Sequence, residues 1–325
     1  MEIAITIILI LMLIDIVTVD LIARYSCDRK CPKLPDFLSQ GLIGKKGKKN
    51  SSNRVSKSRE RAKALKEAAN QRFEITSSDG LKMVAHYYPK ENAKRLIIAV
   101  HGWRSSWDYD FNGQYEFLHN NDCSILFTES RAHGESEGRY MYYGKIERFD
   151  LLQWIKFARE NINADLPIYI YGMSAGASTA IMTSCEIKDR NILGIIADSP
   201  STSARDSGKM TIKNIHLSPL IFYSQVRFDC LLRLGMDDNA FTPLDALKTS
   251  QIPLLILHGS NDRLATPFMA QKLYNTCNAD KQIVEFENAG HLKSFYTNPL
   301  KYEKTLLDFF QRQEAKQNSI KAIKK

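Results

Sequence analysis

Cysteine is sparse in this 325-residue sequence, and the six present (Cys27, Cys31, Cys123, Cys185, Cys230 and Cys277) are scattered. They form neither a CxxC zinc pair nor a dense disulfide framework, which excludes the zinc-finger and disulfide-scaffold classes. We read them as free thiols in a reducing compartment, the usual state of isolated cysteines in a large domain. Glycine (16) and proline (10) are too few for a collagen-like or Pro/Gly low-complexity chain. No GxGxxG fingerprint and no P-loop occurs, and no His/Asp/Glu/Cys group has metal-ligand spacing. No cofactor and no metal is therefore expected. What remains, 44% hydrophobic and 25% charged residues, is an ordinary globular mix of a length that supports a real core.

A basic folded surface is missing too. The net charge of +9 is uneven: +11 over residues 24–66, +4 over 312–325, and −3 over both 1–23 and 67–311. A nucleic-acid enzyme carries its basic stripe on the body, so no nucleic-acid partner is expected. The basic block instead follows an apolar N-terminus. Residues 3–14 are apolar apart from Thr6, and the run continues to Ala23 with Asp15, Thr18 and Asp20 as interruptions. As a helix it spans roughly 30 Å, the hydrocarbon thickness. Asp15 opposes insertion by about 2.5–3.5 kcal/mol, which the Ile, Leu and Val residues offset. A cleaved signal peptide wants a positive start and an A-x-A-like site, whereas Glu2 precedes this run. A surface or buried helix is the other alternative.

The resulting layout is a transmembrane anchor over 1–23 and a basic flexible tether with a short leader helix over 24–70. A folded domain spans 71–312 and a basic tail 313–325. The tether is Gly/Ser/Lys/Asn-rich over 39–58 and helix-forming over 58–70. Positive residues just after the span put the body on the cytoplasmic side of the cell membrane and against anionic headgroups.

Within the body, two β-rich runs flank Ser77-Ser78-Asp79-Gly80 between Arg72 and Tyr88, a hairpin signal. Short apolar runs at 95–100 and 123–128 read as strands buried on both faces, and 167–171, 192–197, 253–257 and 282–286 read as further strands. Helical patterns fall at 112–120, 145–161, from 176 to about 187, at 266–277 and at 299–312. This alternation predicts an α/β fold with a mainly parallel central sheet flanked by helices.

Gly172-Met173-Ser174-Ala175-Gly176 follows a strand and opens a helix. That context distinguishes a nucleophile elbow from a chance GxSxG. The serine must stand on a tight turn, and the glycines remove Cβ atoms where strand folds back into helix. A serine nucleophile needs a base, and the base an orienting acid. Asp262 follows the fifth strand and His291 the sixth, giving the chain order Ser, Asp, His of α/β-hydrolases. Asp198, after the fourth strand, is the rival acid. His101 and His133 sit in Gly-adjacent turns and read as backbone braces, His258 ends a strand, and His86, His119 and His216 show no partner pattern. The oxyanion hole needs two backbone N–H donors. We assign Ala175, after the nucleophile, and Trp103, in the loop after the first central strand.

These residues, with His101-Gly102, Ser130–Gly138 and Ser260-Asn261-Asp262, resemble the α/β-hydrolase superfamily of serine esterases and lipases over about 72–312. The chain is similar to N-terminally anchored bacterial hydrolases of the esterase/acylglycerol-lipase type. It departs in Glu129, where the family usually has Asp, and in Ala175, where Met or Gln is frequent. The resemblance implies an α/β-hydrolase fold with a helical cap at about 201–248. It also implies hydrolysis of carboxylic (acyl) esters, small or lipid-like, through an acyl-enzyme. The cap's Ile221-Phe222-Tyr223, Phe228 and Leu231-Leu232 are expected to pack it onto the body. Peptidase or thioesterase chemistry, and a non-catalytic membrane-bound binding protein, are the alternatives.

Overall fold

In the computed structural model, which describes residues 2–31, 51–68, 70–235, 237 and 240–323, the apolar runs of the body become one eight-stranded sheet. The strands are β1 (Gln71–Thr76), β2 (Lys82–Tyr88), β3 (Arg95–Val100), β4 (Cys123–Thr128), β5 (Ile168–Met173), β6 (Ile192–Asp198), β7 (Leu254–Gly259) and β8 (Lys281–Phe286). The helices are α1 (Glu2–Cys27), α2 (Ser51–Glu67), α3 (Trp107–Phe111), α4 (Tyr115–Asn120), α5 (Glu147–Phe157), α6 (Ala175–Thr183), α7 (Ala204–Asn214), α8 (Pro219–Leu234), α9 (Pro243–Leu247), α10 (Pro267–Thr276), α11 (Ser294–Thr297) and α12 (Pro299–Ile323).

The spatial order is β1-β2-β4-β3-β5-β6-β7-β8. β2 runs against both of its neighbours, and every other pairing is parallel. The five strands β3 to β7 are buried along their whole length. Covered on both faces, they have no polar face to alternate with, hence the unbroken apolar runs. Trp154, Ile181 and Leu273 pack one face, and Trp107, Tyr302, Phe309 and Phe310 the other. The fold is that of an α/β-hydrolase, with α7 and α8 inserted between β6 and β7 as the cap, while α9 in the same stretch packs on α6 and puts Leu247 in the core.

Several expectations need correction. The helix expected over 299–312 continues to Ile323 as α12. Its extra turns are held to the body by Gln313 and Lys316, each 2.7 Å from Asp280 Oδ2, and by Glu314 on Arg95 at 2.7 Å. The leader helix starts at Ser51, so of the expected tether 51–58 is helical and 39–50 lies outside the described residues. Ala62 and Leu65 of α2 are buried, and the Tyr88 hydroxyl donates to Leu65 O at 2.6 Å. The helix expected over 112–120 starts only at Tyr115, as α4, and a separate short helix not expected from the sequence, α3, precedes it and ends at Phe111.

The largest difference concerns α1. Its first half is exposed, but from Asp15 onward it packs on α8. Val19 and Ala23 are buried against Ile212 and Val226, with Phe222 and Tyr223 alongside. Gln225 donates to Asp15 Oδ2 at 3.2 Å, and Arg233 pairs with Asp20. The acid that opposed insertion thus has a polar partner. Of the cap's apolar set, Phe222 and Tyr223 pack in a cluster with α1 and the cap's own Ile212 and Val226, not onto the body as expected. Ile221, Phe228 and Leu232 instead face outward, at 59–68% exposure. They lie on a helix already committed to α1 on its other side.

Candidate active site

Ser174 sits between β5 and α6 with φ 54° and ψ −114°. This left-handed conformation carries strain of about 1–3 kcal/mol for a non-glycine residue. Ser174 N–H donates to Asp198 O at 2.8 Å, which ties the turn to the end of β6. A Cβ at Gly176 would fall 2.2 Å from Val100 O, so only glycine lets the elbow close against β3.

The structure brings the three residues of the expected relay together. Ser174 Oγ lies 2.8 Å from His291 Nε2, and His291 Nδ1 lies 2.7 Å from Asp262 Oδ2. With Nδ1–H donated to the carboxylate, Nε2 is the acceptor for the serine proton. Asp262 is buried, and its second oxygen accepts Leu264 N–H at 2.9 Å and Ala265 N–H at 3.0 Å. The loops that carry Asp262 and His291 are bonded to each other through Asn261 N to Ala289 O, at 2.9 Å, and Asn288 N to Ser260 Oγ, at 2.8 Å.

Asp198, the rival acid, is engaged elsewhere. Tyr302 donates to its Oδ2 at 2.6 Å and Ser199 to its Oδ1 at 2.9 Å. Burial lifts its pKa to about 6. Its place in the site is to hold the nucleophile's backbone.

The loop 102–105 leaves one of its N–H groups unclaimed among the described residues. Gly102 N donates to Asp110 Oδ2 at 2.7 Å, Arg104 N to His133 Nε2 at 3.0 Å, and Ser105 N to Gly102 O at 3.3 Å. The Trp103 N–H has no such acceptor, and Ala175 opens α6, where the first N–H groups have no intrahelical partner. The loop touches the elbow, since a Cβ on Gly102 would meet Ser174 Cβ at 3.3 Å.

The histidines read as braces do brace. His133 Nδ1–H donates to Arg131 O at 2.9 Å, and burial with His101 nearby pushes its pKa down to about 3. Neutral, it remains the acceptor for Arg104 N. His101 Nε2 accepts Ser130 N at 3.1 Å. His258, for which the sequence offered no partner, donates Nε2–H to Ala265 O at 2.8 Å beneath Asp262. Asp110 is the residue beside the site that the sequence did not reveal. It belongs to no motif, and only the fold carries it from α3 to the Gly102 N–H.

A cavity of about 2150 Å³ opens over Ser174 and His291. Ile212, Leu217 and Val226 from the cap line it, and so do Leu21, Ile22 and Tyr25 of α1. Elsewhere His86, Glu129 and Glu135 offer ligand atoms within 4.8 Å of one another. Their groups are committed: Glu129 accepts His86 Nε2 at 3.1 Å and Trp107 Nε1 at 3.2 Å, and Glu135 pairs with Arg72 at 2.8 Å.

No protein-family model matches the chain. Among curated proteins it is 24% identical to the uncharacterised protein YqkD of Bacillus subtilis over 73% of this chain and 78% of that one. It is 25% identical to monoglyceride lipase of Homo sapiens over 67% and 82% of the two chains. It is also 27% identical to lysophosphatidylserine lipase ABHD12 of Rattus norvegicus, over 59% of this chain and 48% of that one. Among solved structures, the Pyrococcus furiosus esterase Pf2001 superposes with a TM-score of 0.62 at 26% identity, covering 75% of this chain and 91% of the esterase. A Xanthomonas campestris α/β serine hydrolase without lid shares the fold at a TM-score of 0.54 and 13% identity, over 75% and 95% of the two chains. The chain thus has the α/β-hydrolase fold, and the proteins it is similar to include carboxylic ester hydrolases, which supports that enzyme class for it.

Proposed function

We propose that the protein hydrolyses carboxylic esters of lipid-like acyl groups through Ser174, His291 and Asp262 while held at the cell membrane by α1. Ser174 Oγ attacks the ester carbonyl as His291 Nε2 takes its proton, and Asp262 orients the imidazole and balances its charge. The Trp103 and Ala175 N–H groups receive the developing oxyanion. His291 then protonates the leaving alkoxide, and the acyl group stays on Ser174. Water, deprotonated by His291, attacks that acyl-enzyme and frees the serine.

The observation that carries this reading is the unbroken relay of 2.8 and 2.7 Å from serine to buried carboxylate. The apolar cavity wall favours an acyl chain, and relatives include a monoglyceride lipase and a lysophosphatidylserine lipase. Among the described residues α1 is the one helix long and apolar enough to cross a bilayer. The basic residues after it favour a cytoplasmic body. The domain layout proposed is the anchor, the basic segment that follows it and the hydrolase unit over 71–312, capped by about 201–248.

The test is hydrolysis of a p-nitrophenyl ester series, acetate to palmitate, by the full chain in detergent micelles. A matched thioester and a matched anilide are run beside it. Ester turnover that exceeds both, with kcat/KM rising with chain length, is expected. Preference for the thioester or anilide would replace the ester reading with thioesterase or amidase chemistry. No turnover of any of them would favour a non-catalytic binding protein.

A further inference from the structure

The end of α1 meets the active site at the oxyanion loop. A helix leaves its last four carbonyls without intrahelical partners. In α1, Arg24 O accepts Asp28 N at 2.8 Å, which continues the turn. The other three are taken by the body. Arg104 Nε donates to Tyr25 O at 2.7 Å. Trp103 Nε1 donates to Ser26 O at 2.8 Å, and the Tyr143 hydroxyl reaches the same oxygen at 2.5 Å. Met141 N donates to Cys27 O at 2.8 Å. Just beyond the helix, Arg104 also donates to Asp28 O at 2.7 Å, and Arg139 pairs with the Asp28 carboxylate at 2.9 Å.

The side chains close the same contact. The Tyr25 and Trp103 rings meet edge to face at 5.3 Å, and the Arg104 guanidinium lies 4.5 Å from the centre of the Tyr25 ring. Arg104 has φ 50°, a left-handed backbone that persists in a non-glycine residue only where its surroundings hold it. From inside the domain, Asp110 fixes Gly102 N and His133 fixes Arg104 N. From outside, α1 fixes the side chains of residues 103 and 104. The unclaimed Trp103 N–H lies between these two sets of bonds.

We propose that the C-terminal turn of α1 is a positioning element of the catalytic site. Through Trp103 and Arg104, residues Tyr25, Ser26 and Asp28 hold the loop that presents the Trp103 N–H to the oxyanion. This rests on the ester-hydrolase reading above. A merely structural clasp would affect stability; a positioning element acts on the transition state and leaves ground-state binding alone.

The experiment uses the full chain in detergent micelles with Arg104→Gln, Arg104→Lys and Tyr25→Ala, each checked by thermal melt. Three quantities are read: kcat and KM on p-nitrophenyl butyrate, and the Ki of a trifluoromethyl ketone, whose hemiketal anion, formed when Ser174 Oγ adds to the carbonyl as His291 takes its proton, mimics the tetrahedral intermediate. Losing one oxyanion donor lowers kcat by about 10²–10³-fold, and a loosened donor should give a part of that. For Arg104→Gln and Tyr25→Ala the expected result is kcat down about tenfold, KM within about twofold and Ki weakened by the same factor as kcat. Arg104→Lys, which keeps the positive charge beside the Tyr25 ring, should recover part of the loss. Folded variants with unchanged kcat and Ki, or with a raised KM and unchanged kcat, would overturn the proposal. Tyr25→Ala decides the matter alone if the Arg104 variants do not fold. A parent enzyme that cleaves no ester would fail the functional reading instead, before any variant is compared.

Discussion

The two halves of the proposed catalytic site are built differently. The relay half comes from the ends of three strands: Ser174 after β5, Asp262 after β7 and His291 after β8. Two of them are braced by backbone close to the sheet: Ser174 N donates to Asp198 O at the end of β6, and Ala265 N, in the loop after β7, donates to Asp262 Oδ1. The oxyanion half is a loop whose inner side is tied to Asp110 and His133, and whose outer side is tied to a helix at the far N-terminus. The relay is therefore fixed by the core, while in the reading proposed above the oxyanion loop depends on a segment that also faces the membrane. Strand ends make a rigid platform for reacting groups. A loop supported from two sides is where a distant segment can act on the chemistry.

Breaking the relay half should have the largest effect. Ser174→Ala should lower kcat on p-nitrophenyl butyrate by roughly 10⁴–10⁶-fold with folding intact, the scale set by nucleophile removal in other serine hydrolases. Asp262→Asn should follow at about 10⁴-fold, because the wrong imidazole tautomer is then held. Its thermal melt reports whether the loss is chemical. On the oxyanion side, Asp110→Ala frees the Gly102 N–H and should cost about 10–100-fold in kcat with little change in KM. An Asp110→Ala enzyme as active as the parent would show that the loop holds its place without its inner brace.

The two buried braces sharpen the comparison through pH. Asp198 has a folded pKa of about 6, above its unfolded value of 3.8, so its stabilising contribution is complete below pH 3.8 and lost as pH rises through 6. The size is about 3 kcal/mol, and chemical denaturation of Asp198→Asn between pH 4 and 7 should show that loss removed. His133 has the opposite sign. Its folded pKa of about 3 lies below 6.5, so its contribution is present above pH 6.5 and lost as pH falls toward 3. Denaturation of His133→Asn should accordingly show a shallower acid limb. The smallest effect should come from the cap, where Ser203 Oγ accepts Asp206 N at 3.0 Å at the start of α7. Ser203→Ala should cost about 1 kcal/mol in denaturant unfolding.

The relay half was legible in the sequence and the outer support of the other half was not. Gly172–Gly176 is local, and strand runs at 95–100, 123–128 and 192–197 carry their burial in their composition. Chain order then pointed to Asp262 and His291. The contact of Trp103 with Ser26 joins residues 77 positions apart, and that of Arg104 with Tyr25 joins residues 79 apart. Both use main-chain carbonyls, which leave no mark on residue type. Composition alone described the N-terminal segment as an apolar run followed by a basic one. It gave no sign that Val19 and Ala23 have a second partner in Val226. Asp110 was hidden for the same reason, since an acid in the first turn of a short helix looks like any other. Helix length was misjudged at α12, where the charged and amide side chains read as a solvated tail hold to Asp280 and Arg95.

The central claim is that Ser174 is a nucleophile activated by His291. The most direct measurement is reaction of the full chain with a fluorophosphonate probe, followed by peptide mapping of the adduct by mass spectrometry. The account predicts one adduct, on Ser174, absent from Ser174→Ala and strongly slowed in His291→Ala. A folded parent chain that takes no adduct, or takes it on another residue, would contradict it.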